Sequence, residues 1–140
     1  MGYKVHAGPV ELPNPLITEG LAGDIYLPGN IVARNGADLD VGIAATVGQL
    51  LIVKENGPGV GGHFDDAFAV GDTVQAYIAR QGLFFRARLA TGVACVAGET
   101  LLERGALGRL VLLDTGVAVA MAKETVTTSA NDQAVLVEAL

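Results

Sequence analysis

Apolar residues recur along this chain at spacings that suit strands rather than helices. After the turn Val70-Gly71-Asp72-Thr73, residues Val74, Ala76 and Ile78 fall on one side and Thr73, Gln75 and Tyr77 on the other, the period of a half-buried strand. Leu83, Phe85, Ala87 and Leu89 alternate in the same way with Phe84, Arg86 and Arg88, which sets an apolar face against a basic-aromatic one. Gln81-Gly82 stands between these two segments as a hairpin candidate. Gln49-Leu50-Leu51-Ile52-Val53-Lys54 is apolar without a break and reads as a buried strand. Shorter strands are expected at Ile31-Val32, Val41-Gly42-Ile43-Ala44-Ala45, residues 92–96, 100–104 and 109–113. Val117, Val119 and Met121 alternate with alanines, and Ala134-Val135-Leu136-Val137-Glu138 is a last strand that closes the sheet.

Polar and glycine-rich stretches separate them. Asn35-Gly36 is a strong turn signal, and Asp38-Leu39-Asp40 continues it as a polar loop. Loops are also expected at residues 56–62, between Gly105 and Gly108, at Asp114-Thr115-Gly116, and from Thr125 to Gln133. One turn recurs: Leu27-Pro28-Gly29-Asn30, Val70-Gly71-Asp72 and Val96-Ala97-Gly98-Glu99 each place glycine before a polar residue and then a strand. Glycine takes a positive φ freely, and Asp or Asn can bond nearby backbone. The copies are unevenly spaced, so they are a repeated device rather than a repeat array. Together these patterns predict an all-β domain, a small β-barrel or sandwich, over residues 23–140. Residues 1–22 read as an extended arm, because Pro9, Pro13 and Pro15 forbid continuous helix. Val5, Val10, Leu12, Leu16 and Ile17 give the arm apolar side chains. Such an arm is either a disordered terminus or one that lies on its own domain, a neighbouring subunit or a partner.

Composition narrows the function. The 140 residues suit one domain, and 19 glycines with five prolines favour short strands joined by turns. A net charge of −6 argues against non-specific nucleic-acid binding and against an acidic membrane surface. No apolar run approaches the ~20 residues of a membrane helix, and no signal peptide is expected. Cys95 is the one cysteine, so an internal disulfide is excluded and a buried thiol is expected.

The search for chemistry returns little. Residues 57–62 formally match a dinucleotide glycine pattern, but Pro58 interrupts it and no helix pattern follows. His63, Asp65 and Asp66 lie together, yet the only other histidine is His6, and a surface loop is the better reading. Ser129 is the only serine and has no histidine nearby. Met121-Ala122-Lys123-Glu124 is a poor match to the modified lysine of a carrier barrel. No enzyme and no cofactor or metal site is therefore expected. The face of Phe84, Arg86 and Arg88, with Arg80 nearby, reads either as a solvated strand face or as a docking surface.

The phrases Pro28-Gly29-Asn30-Ile31-Val32, Asp40-Val41-Gly42-Ile43-Ala44, Ala69-Val70-Gly71-Asp72-Thr73-Val74 and residues 117–124 followed by Ala134-Val135-Leu136-Val137 occur in an order that resembles the capsid decoration (cement, head-stabilising) proteins of tailed bacteriophages. The resemblance covers residues 23–140. It implies a β-barrel or β-tulip module with an extended N-terminal arm, commonly a homotrimer. Such a module is made in the host cytoplasm and seats on the outer surface of the mature capsid. There it bridges neighbouring major capsid proteins and stabilises the shell. Val5, Val10, Leu12, Leu16, Ile17, Phe84, Arg86 and Arg88 are the candidate capsid or partner contacts, and no direct contact with nucleic acid or membrane is implied. A tail or baseplate β module and a small-ligand β-barrel are the alternatives.

Overall fold

The computed structural model describes residues 5–8, 16–43, 48–55 and 64–140. The described chain is built from β-strands: β1 (His6–Gly8), β2 (Ile17–Ala22), β3 (Ile31–Asn35), β4 (Asp38–Val41), β5 (Leu51–Val53), β6 (Thr73–Ile78), β7 (Phe84–Leu89), β8 (Ala94–Cys95), β9 (Leu101–Arg104), β10 (Leu110–Leu112), β11 (Ala120–Ala122), β12 (Val126–Thr127) and β13 (Gln133–Ala139). They make two small barrels in sequence. The first is closed in the order β2-β4-β3-β5-β6. The second runs β7-β10-β9-β11-β13, and the pairing of β13 with β7 closes it. β1 adds to β7, while β8 and β12 pair separately.

The all-β expectation holds, and the hydrophobic patterns explain how one body arises from two barrels. In the continuous run of β5, Leu51 and Val53 point into the first barrel with Val32, Leu39, Val74 and Ala76. Leu50 and Ile52 point the other way, into a cluster with Phe85, Leu89, Leu102, Leu110, Val135 and Val137 of the second barrel. A strand buried on both faces has no polar side to alternate with. The same holds at the end of β6. Tyr77 was expected on the polar face, but it is buried against the second barrel, its ring 5.8 Å from that of Phe85. Its hydroxyl donates to Glu55 Oε1 at 3.2 Å.

Several boundaries differ from the sequence reading: the expected loop 125–133 contains β12, the strand expected over 41–45 stops at Val41 among the described residues, and three further differences shape the fold. Asp38-Leu39-Asp40 is a strand, not a loop, because Leu39 is fully buried in the barrel and the aspartates flank it outward. The turn at Gln81-Gly82 is present, with the Leu83 N–H donating to Arg80 O at 3.2 Å, but it is not a hairpin. β6 pairs with β2 and β5, and β7 with β13, β1 and β10, so the turn hands the chain from one barrel to the other. The expected arm 1–22 gives residues 17–22 to the first barrel as β2, paired along five residues of β6.

The recurrent turn is confirmed in its bonding. Gly29, Gly71 and Gly98 have φ of 95°, 88° and 77°. In the first two copies the polar side chain reaches back three residues: Asn30 Oδ1 accepts from Leu27 N and Asp72 Oδ2 from Ala69 N, at 2.7 and 2.8 Å. In the third, Thr100 Oγ1 accepts the bond from Val96 N instead.

Candidate functional site

The predicted contact residues separate into three groups. Val5 is fully buried. Its N–H donates to Glu55 Oε2 at 2.7 Å, and its carbonyl accepts from Arg86 N at 2.6 Å, so it is a core residue that seats β1 on β7. Val10 and Leu12 lie outside the described residues. Leu16 and Ile17 are exposed on the first barrel beside β6, and Phe84 and Arg86 are half-buried on the outer wall of the second. Lys123 Nζ lies 5.4 Å from the Phe84 ring and 3.2 Å from Glu138 Oε1.

Arg88 continues the outward face of β7 but is only 5% exposed, because the first barrel's turn at residues 27–30 and Phe64 cover it. Its Nε donates to Pro28 O at 2.8 Å, its Nη1 to Asp132 O at 2.9 Å and its Nη2 to Phe64 O at 2.6 Å. Nη2 also meets Asp65 Oδ1 at 3.1 Å, and the guanidinium lies 4.0 Å over the Phe64 ring. Its donors are directed into the protein, so this side chain fastens the two barrels together. Beside it, both oxygens of the Asp132 carboxylate accept from Arg109, at 3.0 Å each. That bond holds the Asp132 carboxyl below the ordinary aspartate range and raises Arg109. Asn30 Nδ2 donates to Gly108 O at 3.3 Å, and Arg88 N donates to Gly29 O at 3.0 Å. A Cβ on Gly29 would stand 2.8 Å from Arg86 O, so the close approach of turn to strand requires glycine as much as its φ does.

Exposed aliphatic groups gather in two places that the sequence did not single out. At one end of the first barrel stand Leu21, Ile25 and Val70, of which Ile25 is 67% exposed. Asp24 and Asp72 are exposed beside them. Asp40 is close enough, with burial as the larger cause, to help push the Tyr26 phenol up to about 12; the Tyr26 hydroxyl donates to Leu39 O at 2.7 Å. On the outer wall of the second barrel, Leu101 is paired with Met121, and Leu113 N donates to Leu101 O at 3.1 Å. These three side chains therefore lie along one row of the sheet. Between the barrels opens a cleft of about 500 Å³ walled by Leu50, Ile78, Val117 and Val119, with Arg80 and Arg104 among its lining residues. In each place the residues fall within segments readable as strands or turns. Which face turns outward depends on which barrel each strand joins, so the only available signal was the mixture of aliphatic residues with aspartate at turns.

Among the described residues, no group of three or more His, Cys, Asp and Glu could hold a metal ion. Cys95 is buried, as expected, and burial pushes its thiol up, with Glu124 adding to the effect. Ser129 N donates to Gln133 Oε1 at 2.9 Å in an exposed turn. The glycine-rich segment 57–62 and His63 lie outside the described residues.

No family model matches the chain, and no curated protein matches it. Among solved structures, the fold is similar to the N base of the head fiber gp8.5 of bacteriophage phi29, with a TM-score of 0.53 over 89% of this chain and 93% of that one, at 13% identity. At that identity the likeness establishes a shared fold.

Proposed function

We propose that this chain is a structural protein of a tailed-phage virion. In this reading it is a decoration protein that seats, as a homotrimer, on the outer surface of the mature head, bridges neighbouring major capsid proteins and stabilises the shell, without catalysis. The observation that carries the proposal is the likeness to the phi29 head-fiber base along nearly the whole of both chains. The distribution of apolar surface supports it: exposed aliphatic side chains sit on the outer walls of both barrels, whereas the interiors are filled by residues such as Val32, Val74, Val135 and Val137. A small-ligand barrel would keep that interior open. The physical mechanism is linkage. A protein that binds only the expanded lattice stabilises it by RT ln(1 + [L]/Kd) per site, and a trimer touching several subunits adds multivalency.

The N-terminal segment has a divided role in this reading. Val5 and residues 17–22 belong to the fold, so deleting residues 1–22 would remove a barrel strand and could not separate docking from folding. Among the described residues of that segment, Leu16 and Ile17, exposed at the start of β2, are the predicted contacts open to a partner. The test is co-sedimentation of the purified chain with mature and immature phage heads, followed by heating. Saturable binding to mature heads with a raised temperature of DNA release is expected. Absence of binding, or binding to tails alone, would overturn the proposal.

A further inference from the structure

We infer that copies of this chain associate head to tail, the acidic apolar tip of the first barrel on one copy seating in the cationic cleft between the barrels of the next. This deepens the self-association within the reading above and uses no property of the capsid.

The tip is formed by the end of β2 and two turns that lie side by side. Tyr26 bridges Phe68, and Gly71 N donates to Ala22 O at 2.8 Å. Ile25 and Val70 are 67% and 64% exposed, and Leu21 stands with them. Asp24 Oδ1 accepts from Ile25 N at 2.7 Å and Asp72 Oδ2 from Ala69 N at 2.8 Å, so both carboxylates are fixed beside the aliphatic groups by local backbone bonds. The tip thus presents three aliphatic side chains flanked by negative charge.

The cleft presents the converse. Its walls are aliphatic, Val117 being 72% exposed, and its charged lining residues are Arg80 and Arg104. Arg80 is exposed. Arg104 is buried and donates from Nη2 to Gly48 O and Gln49 O, both at 3.2 Å, which fixes its charge in the wall. In a chain of net charge −6, a basic apolar cleft and an acidic apolar tip are complementary in both polarity and sign.

The two cannot meet within one molecule. The tip lies at the Thr73 end of β6 and the cleft at the Ile78 end, about 17 Å apart at the rise of a strand. The contact therefore joins different surfaces of two copies. Such a heterologous contact closes into a ring when the rotation allows and otherwise extends into a filament.

The test uses the full chain and native mass by light scattering on a sizing column. Ile25→Asp spoils the tip and Val117→Asp spoils the cleft. Each should weaken association by about tenfold or more, the factor expected from losing one buried aliphatic side chain. Mixing the two variants should give a heterodimer and nothing larger, because only one intact tip and one intact cleft remain. Asp24→Lys and Arg80→Glu, at exposed sites, form a charge-swapped pair: each alone should weaken association, and mixing them should restore assembly beyond the dimer, because the reversed tip and the reversed cleft are again opposite in sign. A wild-type monomer at high concentration, or monomeric variants that stay monomeric when mixed, would overturn the inference. An oligomer indifferent to all four substitutions would overturn this contact while leaving self-association standing. A failure of the capsid reading would appear separately, as no binding to heads.

Discussion

Arg88 offers a direct measure of what joins the two barrels. Replacing it by alanine leaves the carbonyls of Pro28, Phe64 and Asp132 without their donor. Each stranded buried acceptor costs about 1–3 kcal/mol, and loss of the guanidinium from over the Phe64 ring adds about 1 kcal/mol. Against this, the variant no longer has to bury a cation, a penalty of several kcal/mol. The Asp65 contact contributes little, because that carboxylate is 84% exposed. Two of the three acceptors are buried, so the gross loss is about 3–7 kcal/mol; relief of the cation's burial brings the balance to about 2–4 kcal/mol, which in a domain of this size lowers the melting temperature by roughly 5–15 °C. Chemical denaturation of Arg88→Ala, with Glu99→Ala as an exposed control expected within about 0.5 kcal/mol of wild type, reads the difference. Arg88→Lys keeps the charge but cannot reach three carbonyls at once, and should recover less than half of the loss. A loss below about 1 kcal/mol for Arg88→Ala would refute the reasoning, and would return Arg88 to the role of a surface contact.

Three further outcomes follow from the same structure. Gly29→Ala and Gly71→Ala both place alanine at a positive φ, but a Cβ at Gly71 meets nothing within 4 Å whereas one at Gly29 meets Arg86 O. Gly71→Ala should therefore cost about 1 kcal/mol of backbone strain, and Gly29→Ala at least about 1 kcal/mol more, by denaturant unfolding. The Asp132 carboxyl is depressed in the fold by Arg109, so its contribution is complete above the unfolded aspartate value of about 3.9 and is lost as pH falls through the lower folded value. Stability measured from pH 6 downward should fall less steeply in Asp132→Asn, which can also hold the φ of 64° at this position. Cys95, buried with its thiol pushed up, should resist thiol reagents in the native protein and react promptly in denaturant.

Much of the strand content was legible in the sequence because period-two alternation and glycine turns report local geometry. The basic-aromatic side of β7 was correctly separated from its apolar side, yet Arg88 proved internal. A single strand's pattern says which residues oppose each other, and nothing about what later covers the polar face. Tyr77 was misplaced for the same reason, since the outside of the first barrel is the inside of a shared core. The division into two barrels was hidden at Gln81-Gly82, where the turn chemistry of a hairpin serves a crossing between sheets. Leu39 shows the limit of polar flanks as a loop signal: one buried leucine between two aspartates is enough to make a strand of the barrel, paired on both sides. The exposed aliphatic groups at Ile25 and Val70 and at Leu101 and Leu113 were not readable, because aliphatic residues in strands and turns carry no mark of which will remain outside.

The central claim is tested most directly by imaging phage heads with and without this chain and comparing the reconstructions. The account expects extra density of about this size on the outer surface of the mature head, repeating where major capsid proteins meet. Heads that look the same with and without the chain, or density confined to the tail or the interior, would contradict it.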